Sequence, residues 1–314
     1  MSRPGDGPAP PPPSPAEPAA QLVWEPTRPT DLALTLSRLQ HGRRDPTHQT
    51  SPDGVVWRTL NTAAGPATLA LHQHGRVLTC RAWGPGAEPA VAAAPALLGG
   101  EDDPTGFEPR HPVLAAAHHR FPGLRLARTG DVFEALVGAV LSQRVEGTDA
   151  NAAWTRLVTD LGAPTPGPAP PGMRVFPSAR AWAGLDQAAW RRAGVDVRRA
   201  ATVQAAARVQ PALERLAGRS GEQVDAALRT LQGVGAWTAA EVRQRALGDA
   251  DAVSVGDFHL AAITGQVLAG RPFDDAEMVE HLQPWRPHRH RVARLLYALG
   301  IESLPRRAPR RPRA

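Results

Sequence analysis

Two glycines and one acid carry the most specific chemistry in this chain. Gly233 and Gly235 flank Val234 in the stretch LQGVGAWTAAEV, and Asp257 follows in SVGDFHL. Glycines around a single apolar residue permit a tight turn and a positive φ where a side chain would clash. The backbone N–H groups of such a turn, with those opening a helix near Ala236, form a seat for a phosphate. Thr238 lies beside that seat. Asp257 comes after a second helix and a loop, entered through Gly256. At the start of a third helix its carboxylate is favoured in the ionised form. A phosphate grip coupled to one acid points to chemistry on a nucleic-acid backbone or on a base attached to it. Breaking an N-glycosidic bond builds positive charge on the sugar. A carboxylate beside C1′ stabilises that charge and orients or deprotonates the attacking water.

Leu231, Gly233, Val234 and Gly235, then Thr238 and Ala239, then Val255, Gly256 and Asp257 resemble the signature of the helix-hairpin-helix DNA glycosylase superfamily. Trp237 after the hairpin and the run Pro284, Trp285, Arg286 are similar to its DNA-3-methyladenine glycosylase II branch. The resemblance spans roughly residues 28 to 300. It implies a monofunctional base-excision repair enzyme that flips a damaged, alkylated base out of double-stranded DNA and hydrolyses its glycosidic bond. It makes Asp257 the catalytic residue and puts Trp237 and Phe258 in an aromatic base pocket. Such rings attract a cationic base by about 1–2 kcal/mol. Glu241 and Arg294 fall at two further pocket positions where relatives carry aromatics. They are expected to pair with each other or to contact a neutral lesion. Gly233, Val234, Gly235 and Thr238 are expected on the DNA phosphates. A side chain must plug the gap that flipping leaves, and Arg144, after Gln143, matches that position. The resemblance allows a monovalent cation on the hairpin carbonyls and calls for no other cofactor. Two other readings stay open. One is a non-catalytic DNA-lesion-binding helix-hairpin-helix protein, against which Asp257 speaks, because a carboxylate near an anionic backbone weakens affinity. The other is a glycosylase for deaminated or oxidised bases, which Glu241 and Arg294 would favour.

Composition narrows the chemistry further. All 36 basic residues are arginine, so no lysine ε-amine exists to form a Schiff base. Within the superfamily, the strand-cleaving lyases related to endonuclease III carry Lys where this chain has Trp237. A lysine-dependent lyase is therefore excluded. Cys80 is the sole cysteine, which excludes a disulfide within the chain and a four-cysteine iron–sulfur cluster. His281, His288 and His290 lack a carboxylate or Cys at zinc spacing. The chain has no apolar run of about 18 residues and no apolar signal core at its start, so a cytoplasmic, nucleoid-associated monomer is expected. Arg306, Arg307, Arg310, Arg311 and Arg313 crowd the end; without them the net charge falls from +6 to +1. A DNA-binding face must then come from how charges are distributed, plus that tail.

These residues need elements to hold them, and the sequence predicts an α+β chain. Residues 1–27 are Pro/Ala/Gly-rich and are expected to be disordered. Residues 28–125 are expected to form a small N-terminal domain that supports the helical body more than it performs chemistry. In it Val55–Leu60, Ala67–Gln73 and Arg76–Trp83 alternate as antiparallel strands. Asp31–Leu39 and Glu88–Leu98 read as helices, the second interrupted by Pro95. Residues 126–304 are expected to be a two-lobed helical body. Asp131 and Glu134 have capping-box spacing, Phe133, Leu136, Val137, Val140 and Leu141 form one buried face, and Ser178, Asp186 and Asp196 are N-cap residues of further helices. A Pro/Gly loop spans Ala163–Gly172, and His288–Leu299 is the last long helix, stopped by Gly300. Asp249 and Asp251 read as solvated turn residues, and His288 to Arg291 as a half-exposed basic cluster. Residues 305–314 are expected to be a basic disordered tail.

Overall fold

The computed structural model describes residues 17–301. The proline-rich start and the arginine-rich end fall outside the described residues, apart from the part of the former that turns out to be a strand. The architecture is α+β. β1 (Ala20–Trp24), β2 (His48–Thr50), β3 (Val56–Thr62), β4 (Gly65–His74) and β5 (Val77–Trp83) make one antiparallel sheet in the order β1-β5-β4-β3-β2. The alternation-based strands are thus found, each end within two residues of its predicted place. β1 corrects the expectation of disorder up to residue 27. Its residues pair with β5, Leu22 opposite Cys80, and Leu22 and Trp24 pack on the sheet core.

α1 (Leu32–Leu36) starts where Asp31 accepts the Leu34 N–H, and runs into a 3₁₀ turn, Ser37–Leu39. α2 (Ala87–Leu97) covers the sheet and continues through Pro95. Together these bury a first core that includes Cys80, whose thiol burial pushes up to about 12.

Next come α3 (Pro112–Arg120), α4 (Val132–Leu141), α5 (Gly147–Leu161), α6 (Ala179–Ala183), α7 (Gln187–Arg192), α8 (Val197–Arg208), α9 (Gln210–Glu214), α10 (Gly221–Leu228) and α11 (Ala236–Val242). α12 (Leu260–Ala269), α13 (Asp275–His281) and α14 (Arg289–Ala298) complete the body. The predicted N-caps act as expected. Asp131, Ser178, Asp186 and Asp196 each accept a backbone N–H of the following first turn, an arrangement worth about 1 kcal/mol per helix. The capping box at α4 is only half made. Glu134 turns away from its own helix end to pair with Arg58 of β3 at 2.7 Å, and the Thr129 hydroxyl accepts the Asp131 N–H instead.

α4, α5, α8 and α11 enclose the second core, where Trp154, Trp182 and Trp190 are fully buried. α12, α13 and α14 enclose the third. α3, which precedes the helical body in sequence, joins that third core through Leu114 and Ala117 and packs on α14. No helix among the described residues is long and apolar enough to cross a membrane.

Candidate active site

α10 and α11 are the two arms of the helix-hairpin-helix unit. Between them Gly233 sits at φ +88°, and a Cβ there would overlap the Thr202 side chain. The Thr202 hydroxyl donates to the Gln232 carbonyl, so the turn is pinned from α8. Val234 is buried in the second core and anchors the tip. Gly233 and Gly235 are exposed, and among the described residues neither N–H has an acceptor. Gly235 differs from Gly233: its φ is −102° and a Cβ would meet nothing within 4 Å. Thr238 is buried and is held by Gln143, whose Nε2 donates to the Thr238 Oγ1 at 2.8 Å and to the Gly233 carbonyl at 2.9 Å. Thr238 therefore braces the hairpin instead of reaching out to a phosphate.

This geometry separates two substitutions. Gly235→Ala should leave the melting temperature unchanged yet weaken duplex binding about tenfold, the worth of one charge-assisted hydrogen bond. Gly233→Ala should lower both, because the turn itself must move. Thermal melts beside a fluorescence-anisotropy titration read the difference. Full affinity in Gly235→Ala would remove the hairpin from the binding face.

Gln143 fixes the loop after α4 against the hairpin, and Arg144 follows it. Arg144 is exposed and has a φ of +55°, the one non-glycine residue with positive φ among those described. Such a conformation is uncommon outside glycine. The candidate plug is thus held on strained backbone beside the hairpin. The carbonyls of Leu231, Gln232 and Gly233 each already accept a protein hydrogen bond. Nothing in these residues selects a cation there. No cluster of metal-ligating side chains occurs among the described residues.

Asp257 is half-buried, at the turn before α12. Gly256 before it has a φ of +92°. One carboxylate oxygen accepts the His259 and Leu260 N–H groups at 2.9 Å and so caps α12. The other accepts the Trp237 indole N–H at 3.2 Å. The hairpin's own second arm thereby holds the acid, joining the two parts of the sequence motif. Phe258 does not line a formed pocket: it is 91% exposed and touches the His259 ring.

Glu241 and Arg294 do not pair with each other. Glu241 is buried, accepts the Ser254 hydroxyl at 2.6 Å and pairs with Arg245 at 2.7 Å. Against the upward push of burial, Arg245, Arg38 and Ser254 hold it below the ordinary carboxylate range. The reason is local. After Val242 the chain makes a π-helical turn, Arg243–Leu247, which brings Arg245 back over Glu241. Arg294 instead donates to the Leu34 carbonyl of α1. Arg38, Gln244, Arg245 and His290 line the same cleft as Arg294. The sequence signal that would have found Arg245 is its i,i+4 spacing from Glu241; nothing local marks Arg38.

Two other expectations change. Asp249 and Asp251 are not solvated turn residues: they pair with Arg243 at 2.6 Å and Arg289 at 2.7 Å. The cluster His288 to Arg291 is structural. Arg291 pairs with buried Asp102 at 2.6 Å, His288 hydrogen-bonds the Thr105 carbonyl, and Asp251 also accepts the Arg289 N–H.

No family model matches the chain. A curated protein named as a probable bifunctional transcriptional activator and DNA repair enzyme AlkA, from Mycobacterium tuberculosis, is 32% identical over 180 residues, 57% of this chain. The chain spans about a third of that relative's length, the match covering 35% of it. A 3-methyladenine DNA glycosylase from Archaeoglobus fulgidus superposes with a TM-score of 0.76 at 18% identity, covering 90% of this chain and all of that one. An 8-oxoguanine glycosylase/lyase from Clostridium acetobutylicum gives 0.69 at 12% identity, over 88% of this chain and 95% of its own. The sheet, the helical lobes and the hairpin with its downstream acid together make this the fold of the helix-hairpin-helix DNA glycosylases.

Proposed function

We propose that the chain is a monofunctional base-excision DNA glycosylase. It flips a damaged base out of double-stranded DNA, and water assisted by Asp257 attacks C1′ to leave a free base and an abasic site. The observation that carries this reading is the seating of Asp257, capped on one oxygen and held by Trp237 on the other. A binding module has no use for a fixed carboxylate next to a phosphate-binding hairpin, where it repels the backbone. In the reaction it stabilises the developing charge on the sugar. The names of the similar proteins support a damaged base in DNA as substrate. Arg144 plugs the gap, Gly233 and Gly235 hold a phosphate, and Trp237 walls the sugar side of the pocket. Phe258, exposed beside the acid, is free to stack on nucleic acid. The enzyme acts as a monomer on cytoplasmic DNA.

One of those names, the 3-methyladenine glycosylase, points to an alkylated base. The arginines near Glu241 favour a second reading for the lesion, taken up below. The enzyme class is tested by incubating duplexes that carry single lesions with the protein, then cleaving abasic sites with hot alkali. Strand breaks are expected only after alkali, since no lysine is present to drive β-elimination. Borohydride trapping of the folded body onto abasic DNA would contradict the monofunctional assignment.

A further inference from the structure

The cleft beside Glu241 has an unusual charge inventory. Arg38 comes from the 3₁₀ turn after α1, Gln244 and Arg245 from the π-helical turn after α11, and His290 and Arg294 from α14. Arg294 is 4% exposed, makes one hydrogen bond, to the Leu34 carbonyl, and has no carboxylate partner among the described residues. Arg38 lies over the Tyr297 ring at 4.7 Å and likewise pairs with no acid among them. Arg245 is spoken for by Glu241, which takes one hydrogen bond from it and another from Ser254. Burial, with Arg38 and Arg245 close by, pushes Arg294 down to about 9. Burial and the same arginines push His290 well below its usual range, so its ring is neutral at physiological pH. Buried cations without anions are costly, and a ligand that brings electron density relieves them.

The cleft is linked to the acid through hydrogen bonds: Gln244, on its wall, donates to the Ser254 hydroxyl. Trp237, which binds Asp257, lies one helical turn before Glu241 on α11, about 6 Å along the axis. Arg245 folds back to the level of Glu241 by donating to both its carbonyl and its carboxylate. Ser254 links the two sites: its hydroxyl serves Glu241, and its carbonyl accepts the Asp257 N–H. The cavity holds about 20 Å³, room for little more than one water. It fits one projecting oxygen, not a whole ring.

We propose that this arginine cleft receives an exocyclic oxygen of the flipped base, so that the enzyme selects neutral, carbonyl-bearing lesions, deaminated or oxidised, over cationic alkylpurines. The inference rests on the glycosylase reading above. Arg294 and Arg38 donate to the carbonyl oxygen where aromatic faces would attract a positive ring. A methylated purine with a full positive charge instead meets two guanidinium groups that make no salt bridge with an acid among the described residues.

The test is single-turnover base release at saturating enzyme from duplexes carrying hypoxanthine, 8-oxoguanine or 7-methylguanine, each divided by its uncatalysed rate. Wild type should enhance hypoxanthine or 8-oxoguanine release at least about tenfold more than 7-methylguanine, the discrimination one well-placed arginine gives. Which of the two leads separates a deaminated from an oxidised target. Arg294→Met keeps the apolar stem and should shrink the preference about tenfold. Arg38→Met, at a half-exposed position, does so in a variant whose fold is not at risk; melting curves accompany both. A larger enhancement for 7-methylguanine, or an unmoved ratio in Arg38→Met, overturns the inference while leaving the glycosylase reading intact. Duplex binding with no release of any base would sink the glycosylase reading itself, and this inference with it.

Discussion

Asp257→Asn is expected to bind lesion duplexes as wild type does and to release the base at least about 10²–10³ times more slowly, the usual loss when one electrostatic catalyst is removed. Asparagine retains an acceptor for the His259 and Leu260 N–H groups, so the cap of α12 survives. What changes is the oxygen facing Trp237. An amide NH₂ there opposes the indole N–H, and the negative charge is gone. Stability should fall by no more than the worth of a cap, about 1 kcal/mol, so the kinetic loss is not an unfolding effect. Single-turnover kinetics beside an anisotropy titration make the check. Base release at wild-type speed would strip Asp257 of its role and place the catalytic group elsewhere in the chain.

The second large effect lies far from the acid. Glu134→Ala should lower the unfolding free energy by about 3–5 kcal/mol, the cost of leaving a buried charge unpartnered. Arg58 is 2% exposed, and its Nε and Nη1 already lack hydrogen-bond partners. Glu134 supplies the one salt bridge it makes among the described residues. Glu134→Gln keeps an acceptor and should lose markedly less. Because the pair ties β3 of the sheet to α4, and α4 ends in the loop bearing Gln143 and Arg144, the alanine variant should also weaken DNA binding at temperatures where it stays folded. Chemical denaturation of the three proteins measures the first effect. A loss under 1 kcal/mol for alanine would mean that the pair is not what holds sheet to body.

What the sequence reveals here is what local rules govern. Asp131, Ser178, Asp186 and Asp196 begin helices because each side chain needs only the backbone two or three residues ahead. The strands of the sheet show through alternation, and the hairpin through glycines that a positive φ or a close neighbour requires. Partners far along the chain leave no such trace. β1 is a strand because β5 lies sixty residues downstream to pair with it, and its proline-rich surroundings suggest disorder. Glu134 has the spacing of a capping box and would serve as one, were Arg58 not waiting across the domain interface. At the site, Asp257 and Trp237 were legible because one motif carries both. The partner of Glu241 is Arg245 at ordinary i,i+4 spacing, which the resemblance passed over in favour of Arg294. Arg38 was invisible, since it reaches the cleft from the sheet domain, some two hundred residues before Arg245. Thr35, Arg38 and Leu39, from the N-terminal stretch expected only to support, contribute a wall of the cleft.

The state of Cys80 has a bearing on survival. Alkylating and oxidising agents that damage bases also attack proteins, and their preferred targets are thiolates and exposed amines. This chain offers its one thiol only inside the sheet, under β1 and α2, with the sulfur held in its protonated, unreactive form. It has no lysine at all. In the enzyme proposed above, the agents that create its work would find no lysine amine to attack and a single cysteine thiol that is shielded.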